Sequence, residues 1–382
     1  MPHIIADKID LPSKTCSLVA DGGFEILFFA NGFDGAIGVK TPRAKFILRK
    51  FPHEKGVILK CDKSTRPPFL NDIKKAMLVV AEICGAKIYE KNYENDPILH
   101  DREYENFVSA SEFINLFDCA KKLWIEIGFG SGRHILKNAA ENPEKLHLGI
   151  EIHRPSAEQL LNRAKYENLN NIVVVLADAR TFIKSLKTSL AERIFVHFPA
   201  PWDKNADRKV FNMEFVKESL KVLAKNGKIE LRTDSENYFE NSLNIAEGFE
   251  NITIEKKINK ETIISSKYED RWKKLNRNIF DLIITKNYDE DSVNSKMDFS
   301  IKNSDILREK ISAKFTVKDE NYLLITKKVW KLNNNAILAQ IIMGALNSPI
   351  AIYLLIGDQA EYFPSPPLPT KENFAAHLAL IG

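Results

Sequence analysis

Residues 123–136 read LWIEIGFGSGRHIL: an apolar strand, glycines at 128, 130 and 132, and the first turn of an amphipathic helix. Glycines spaced by two let the chain turn sharply and let a ligand approach the backbone, while the helix that follows presents free N–H groups. A nicotinamide or flavin site would read GxGxxG and take a pyrophosphate there. This stretch reads ExGxGxG instead. Glu126, two residues before the first glycine, repels phosphate and suits a cationic amino-acid moiety such as that of S-adenosylmethionine, with Gly128 and Gly130 as the close-approach positions.

Moving outward, the chain after Ala120 alternates strictly. Strand LWIEIGFG leads to a helix near 132–141, then strand LHLGIEIH and helix SAEQLLNRAKYEN. Strand IVVVLADA, a short helix, strand RIFVHFPAPW, helix MEFVKESLKVLAKNG and strand KIELRTD follow. Apolar runs alternating with amphipathic helices predict a doubly wound, mostly parallel α/β sheet. ITIEKKI and IFDLIITK close the series without a strong helix between them, which puts an antiparallel strand in the sheet.

Two further carboxylates fall at strand ends. Glu151 closes GIEIH, 23 residues beyond Gly128, where a carboxylate can accept both hydroxyls of a ribose. Asp178 in LADA ends the next strand and is placed for an adenine amine. Alone, each would pass as a solvated or capping residue. Together with the glycine loop they mark the carboxyl edge of the sheet, where doubly wound folds bind ligands.

The 382 residues, 44% hydrophobic and 28% charged, exclude general disorder, a collagen-like chain and a disulfide-stapled miniprotein. At this length two to three domains are expected. The expected division is a β-rich N-terminal domain with one helix over 1–89, a linker over 90–118, the α/β domain over 119–288 and an α+β extension over 289–382. Cys16, Cys61, Cys84 and Cys119 form no CxxC pair, so reduced thiols in a cytoplasmic protein and no metal site are expected. ILAQIIMGALNSPIAIYLLIG (337–357) approaches a membrane-spanning length, but Gln340 and Asn347-Ser348-Pro349 argue for a buried helix, a turn and a buried strand.

The formal charge of +4 is unremarkable in itself, but residues 119–288 hold 29 Lys/Arg against 23 Asp/Glu. Lys40–Lys75 holds eleven Lys/Arg against Glu54, Asp62 and Asp72. Arg43, Lys45, Arg49 and Lys50 of that block are candidate phosphate contacts, or else parts of a solvated β face.

Residues 123–286 resemble the bacterial tRNA (guanine-N7-)-methyltransferase family in IEIGFGSG, GIEIH, FPAPWDKNADRK, RTDSENY and SKYEDRW followed by IFDLIITK, in the family's order and spacing. The resemblance implies a fold of the class I S-adenosylmethionine methyltransferase type and methyl transfer to guanine N7 of tRNA, at position 46. It implies cofactor contacts at Glu126, Glu151 and Asp178, and guanine or tRNA contacts at Lys204, Asp234 and Ser266-Lys267-Tyr268-Glu269, with Ser266 where the family usually has Thr. The family's Pro-Asp-Pro-Trp reads Pro199-Ala200-Pro201-Trp202 here, so the Asp taken as catalytic in the family is Ala200. Guanine N7 carries a lone pair and no proton, so its attack on a sulfonium methyl needs no general base. A carboxylate would act by position and field, and Asp203, Asp207 and Asp234 are the candidates. Trp202 is placed to stack on a guanine or to pack the loop. Lys204, Arg208, Lys209, Lys267, Arg271, Lys273, Lys274 and Arg277 add basic charge at this end of the sheet. The alternative function is an RNA-binding protein that keeps the fold with little or no transferase activity.

Overall fold

The computed structural model describes residues 2–11, 18–20, 23–32, 34–93, 106–116, 123–201, 209–260, 277–290 and 297–382. The chain divides into two compact units, Met1–Glu103 with Met297–Gly382, and Tyr104–Lys296. The sequence reading keeps 1–89 and 289–382 as separate segments. In the structure both outer segments belong to one unit, because each makes a sheet with an apolar face that the other covers.

The first unit begins with β1 (His3–Ala6), β2 (Leu18–Ala20), β3 (Phe24–Ala30), β4 (Ala36–Lys40), β5 (Lys45–His53), β6 (Gly56–Cys61), α1 (Leu70–Ile83) and β7 (Ile88–Lys91). Its strands form an antiparallel sheet in the order β2-β3-β4-β5-β6-β1-β7. Alternation along β5 sets the layers. Phe46 and Leu48 pack with Ile73, Met77 and Val80 of α1, whereas Ile47 faces the other way, into a cluster with Trp330, Leu338 and Tyr353. Those three lie on a second antiparallel sheet, β16 (Thr316–Lys318), β17 (Tyr322–Lys331), β18 (Ile337–Ala345), β19 (Ile350–Ile356) and β20 (Ala360–Phe363), in chain order. α8 (Ser304–Ser312) and α9 (Lys371–Ile381) close its far face through Leu307, Ile311, Ala376 and Leu380.

Two expectations for this unit change. The 337–345 stretch is a strand and not a helix, while the 347–349 turn stands. A run that is apolar on both faces carries neither a helical nor a strand period. Of the four candidate phosphate contacts, Arg49 and Lys50 are buried, 5% and 4% exposed, Arg43 is half-buried and Lys45 is exposed. Arg49 is ion-paired with Asp34, lies 3.8 Å from Asp62 and stacks 4.5 Å over the Trp330 ring. Lys50 donates to Asp10 at 2.7 Å, and Arg43 pairs with Asp72.

The second unit holds β8 (Phe107–Val108), α2 (Ala110–Leu116), β9 (Leu123–Ile127), α3 (Arg133–Glu141), β10 (Leu146–Glu151), α4 (Arg154–Tyr166) and β11 (Ile172–Leu176). α5 (Ala179–Lys184), β12 (Ala191–His197), α6 (Met213–Val222), β13 (Leu223–Thr233), α7 (Glu236–Glu247), β14 (Ile252–Ile258) and β15 (Phe280–Lys286) follow. The sheet order is β14-β15-β13-β12-β9-β10-β11-β8. Strands from β13 to β8 are parallel, and β15 runs antiparallel to both neighbours, as the missing crossover helix predicts. α3 and α4 cover one face through Ile135, Leu136, Leu160 and Leu161. The strand expected at 228 starts at Leu223, where α6 ends. α7 is absent from the sequence reading because its surface is polar; only Tyr238, Phe239, Ser242, Leu243 and Ala246 are buried, and Ser235 caps it by accepting from Tyr238 N. Among the described residues no helix is long and apolar enough to cross a membrane.

Arg49→Ala should lower stability by about 3–5 kcal/mol, because it leaves the Asp62 carboxylate, 11% exposed, without its guanidinium. Lys45→Ala should change stability by no more than about 0.5 kcal/mol. Urea unfolding of both variants checks this, and equal effects would contradict the layering.

Candidate functional site

The order β13-β12-β9-β10-β11 puts five carboxyl ends on one edge, because those strands are all parallel. The chain runs from β9 to β10 and β11 in one direction, then returns to the other side of β9 for β12 and β13. The ends of β9 and β12 therefore flank the point where the strand order reverses, the place where doubly wound sheets have their ligand crevice. Gly128 and Gly130 lie there with φ of +66° and +53°, and a Cβ built on either would meet nothing within 4 Å. The loop thus has the left-handed backbone that favours glycine and open space above it.

Glu151 ends β10, 9% exposed. Its Oε1 accepts from Ile152 N at 2.8 Å and His153 N at 2.9 Å, and its Oε2 faces Gly130 N at 3.4 Å. The glycine loop and the second strand end are therefore in contact. Asp178 follows β11, caps α5 by accepting from Arg180 N, and holds the Arg180 guanidinium at 2.6 Å. Burial works to raise its pKa, but the Arg180 hydrogen bonds and charge outweigh that and hold it below the usual carboxylate range. Asp234 follows β13, with Arg277 at 3.5 Å. Ala200 follows β12 on the same edge and is exposed. Phe198, with a left-handed φ of +49°, donates its N–H to Arg232 O at 2.7 Å, which ties the start of that loop to β13. Trp202, Asp203, Lys204, Asp207, Arg208, Ser266, Lys267, Tyr268, Glu269, Arg271, Lys273 and Lys274 lie outside the described residues.

Glu126, 4% exposed, is not directed at the crevice alone: its Oε2 lies 2.8 Å from Nδ1 of His134 in the first turn of α3. The His134 ring sits 4.4 Å from that of His197, at the end of β12. His197 Nε2 in turn lies 3.4 Å from Glu230 Oε1 on β13, within ion-pair reach though without hydrogen-bond geometry. The sequence reading misses this chain of four. The signal was available in the sheet period, because Glu126, Phe195 and Glu230 share one cross-strand row and His197 and Arg232 the next row on the same face. Burial opposes charge on His134, but the Glu126 carboxylate outweighs it and raises the imidazole above its ordinary value. Burial would raise Glu230, yet neighbouring His197 brings it down to about 2. Behind them Arg232 donates from Nη1 to both carboxylate oxygens of Asp281, at 2.7 and 2.9 Å. Burial shifts the Asp281 carboxyl upward despite that guanidinium.

Residues 120–282 match a family model described as "Putative methyltransferase". The chain is 35% identical to the tRNA (guanine-N(7)-)-methyltransferase of Wolinella succinogenes, over 100% of this chain and 99% of that one. The protein of the same name from Helicobacter hepaticus is 34% identical, over 100% and 98%, and that from Campylobacter jejuni 35%, over 89% and 88%. A solved 16S rRNA (adenine(1408)-N(1))-methyltransferase from Catenulisporales acidiphilia aligns with 49% of this chain and 95% of its own at 15% identity, with a TM-score of 0.36.

Proposed function

We propose, from the premise that the chain belongs to the tRNA (guanine-N(7)-)-methyltransferase family, that it transfers the methyl group of S-adenosylmethionine to N7 of a guanine in tRNA. The observation that carries the cofactor half is the junction of the open glycine loop with Glu151: a cradle without side chains beside a buried carboxylate suits a nucleoside with a cationic tail. In this reading the sheet belongs to the class I S-adenosylmethionine type. Glu126 takes the ammonium, Glu151 Oε2 the ribose hydroxyls, and Asp178 the adenine amine. When bound, the cofactor supplies an electrophilic sulfonium methyl.

The acceptor half rests on relatives that match over their full length. Lys204, Asp234 and Ser266–Glu269 are proposed to hold the guanine and its strand, with position 46 as the target. Because N7 carries no proton, the chain's task is to orient the base and stabilise the positive charge that develops on it. With Ala200 in the strand-end position, Asp203, Asp207 or Asp234 supplies that field. A binding protein without transferase activity is not favoured, since the full-length relatives carry the enzyme's name.

Three outcomes test this. Labelled S-adenosylmethionine with unmodified tRNA should give labelled 7-methylguanine mapping to the variable loop; label at no guanine would refute the assignment. Glu151→Ala should weaken cofactor binding by about 1.5–3 kcal/mol in calorimetry, as expected for a hydrogen bond to a charged group. Ala200→Asp should raise single-turnover methyl transfer with cofactor affinity unchanged; a level or lower rate would show that the field comes from elsewhere.

A further inference from the structure

Building on the reading of Glu126 as the ammonium-binding carboxylate, we propose that His134 is a positioning residue that couples cofactor binding to a proton. Neutral, the imidazole donates from Nδ1 to Glu126 Oε2, fixes the carboxylate, and leaves the pair with one net negative charge toward the crevice. Protonated, it cancels that charge, and a cationic cofactor loses the attraction that seats its ammonium.

The groups facing His134 make the coupling local. From its own helix comes the neutral Asn138 amide, 3.2–3.3 Å from the ring nitrogens, with Arg133 and Lys137 the charged residues of that helix nearest in sequence. From β12 come the Phe195 ring, edge-on at 4.7 Å, and the His197 ring at 4.4 Å. From β13 come Glu230, paired with His197, and Arg232, which is committed to Asp281. From β10 comes His147, whose ring nitrogen approaches Asn142 O at 3.4 Å and which burial holds below its ordinary value. Glu126 and Glu230 both favour a proton on His134, and the Arg232 charge opposes it. Glu126 is nearly solvent-free, so bulk water does not screen its partner's charge away.

The sign follows from linkage. His134 titrates above the ordinary imidazole value in the free protein, and binding of a cation favours its neutral form. Affinity is therefore full at alkaline pH and falls as pH drops through the His134 pKa, approaching about tenfold per pH unit for one displaced proton.

The test is equilibrium binding of S-adenosylhomocysteine, which keeps the ammonium, to the full chain between about pH 5.5 and 8. The wild type should show the acid loss, and calorimetry in buffers of different ionisation enthalpy should show proton release near the midpoint. His134→Asn keeps a donor near the Nδ1 position without a titrating ring. It should bind within about threefold of wild type at pH 8 and lack the acid loss. A wild type that neither loses affinity nor releases a proton, or an Asn variant that keeps the full pH slope, overturns the proposal. Glu126→Gln separates the two readings: if it leaves affinity at pH 8 unchanged, the ammonium assignment itself has failed. The wild-type proton release decides the matter if either variant does not fold.

Discussion

Everything at the site depends on β9 being paired in parallel on both sides by strands that the chain reaches in opposite directions. Parallel pairing forces each strand to be entered from the same end, so every strand exits on one edge. The reversal after β11 then separates the loops on either side of β9. Glycines at 128 and 130 occur where this constraint leaves room, and the strand-end carboxylates come into line through topology and not through nearness in sequence. Glu126 and Glu230 are more than a hundred residues apart, and one cross-strand row joins them through Phe195.

Much of this was legible in the residues. Most of the strand and helix succession in the central unit followed from apolar runs alternating with amphipathic helices, and the antiparallel β15 from the missing crossover helix. Three things were hidden, each for a physical reason. The stretch 337–345 has no polar face to give it a period. α7 shows a narrow apolar stripe under polar residues. The basic residues of β5 looked like surface because charge is usually solvated. Arg49 and Lys50 instead point to opposite faces of a strand that is covered on both, and Asp34, Asp62 and Asp10 accompany them. Of the proposed site residues, the strand-end positions of Glu126, Glu151 and Asp178 could be read because strand ends are recognisable. His134 and His197 could not, because their relation exists only after β9 and β12 have paired.

The charge arrangement at the crevice bears on Ala200. A site that moves a methyl group from a sulfonium to a neutral base keeps its total charge and shifts it in space. Such a reaction is served by fixed negative charge, wherever in the crevice it is held. This chain holds Glu126 and Glu230 in one half-buried line, with histidines between them and the buried Arg232–Asp281 pair behind. A single carboxylate missing from one loop is thus a change in a field with several sources.

The composition of the first unit from both chain ends has a consequence during synthesis. The face of the N-terminal sheet that carries Phe28 and Ile47 has its partners, Trp330, Leu338, Tyr353 and Phe363, some three hundred residues later. At roughly 5–20 residues per second, a ribosome takes about fifteen to sixty seconds to make the intervening chain. During that interval the parallel sheet of the central unit can form from its own strands, while the first sheet waits with one side uncovered and Arg49 without its stacking ring. The flanking unit can be sealed only after residues 330–363 have been made, by which point every strand of the inserted one is already in the chain.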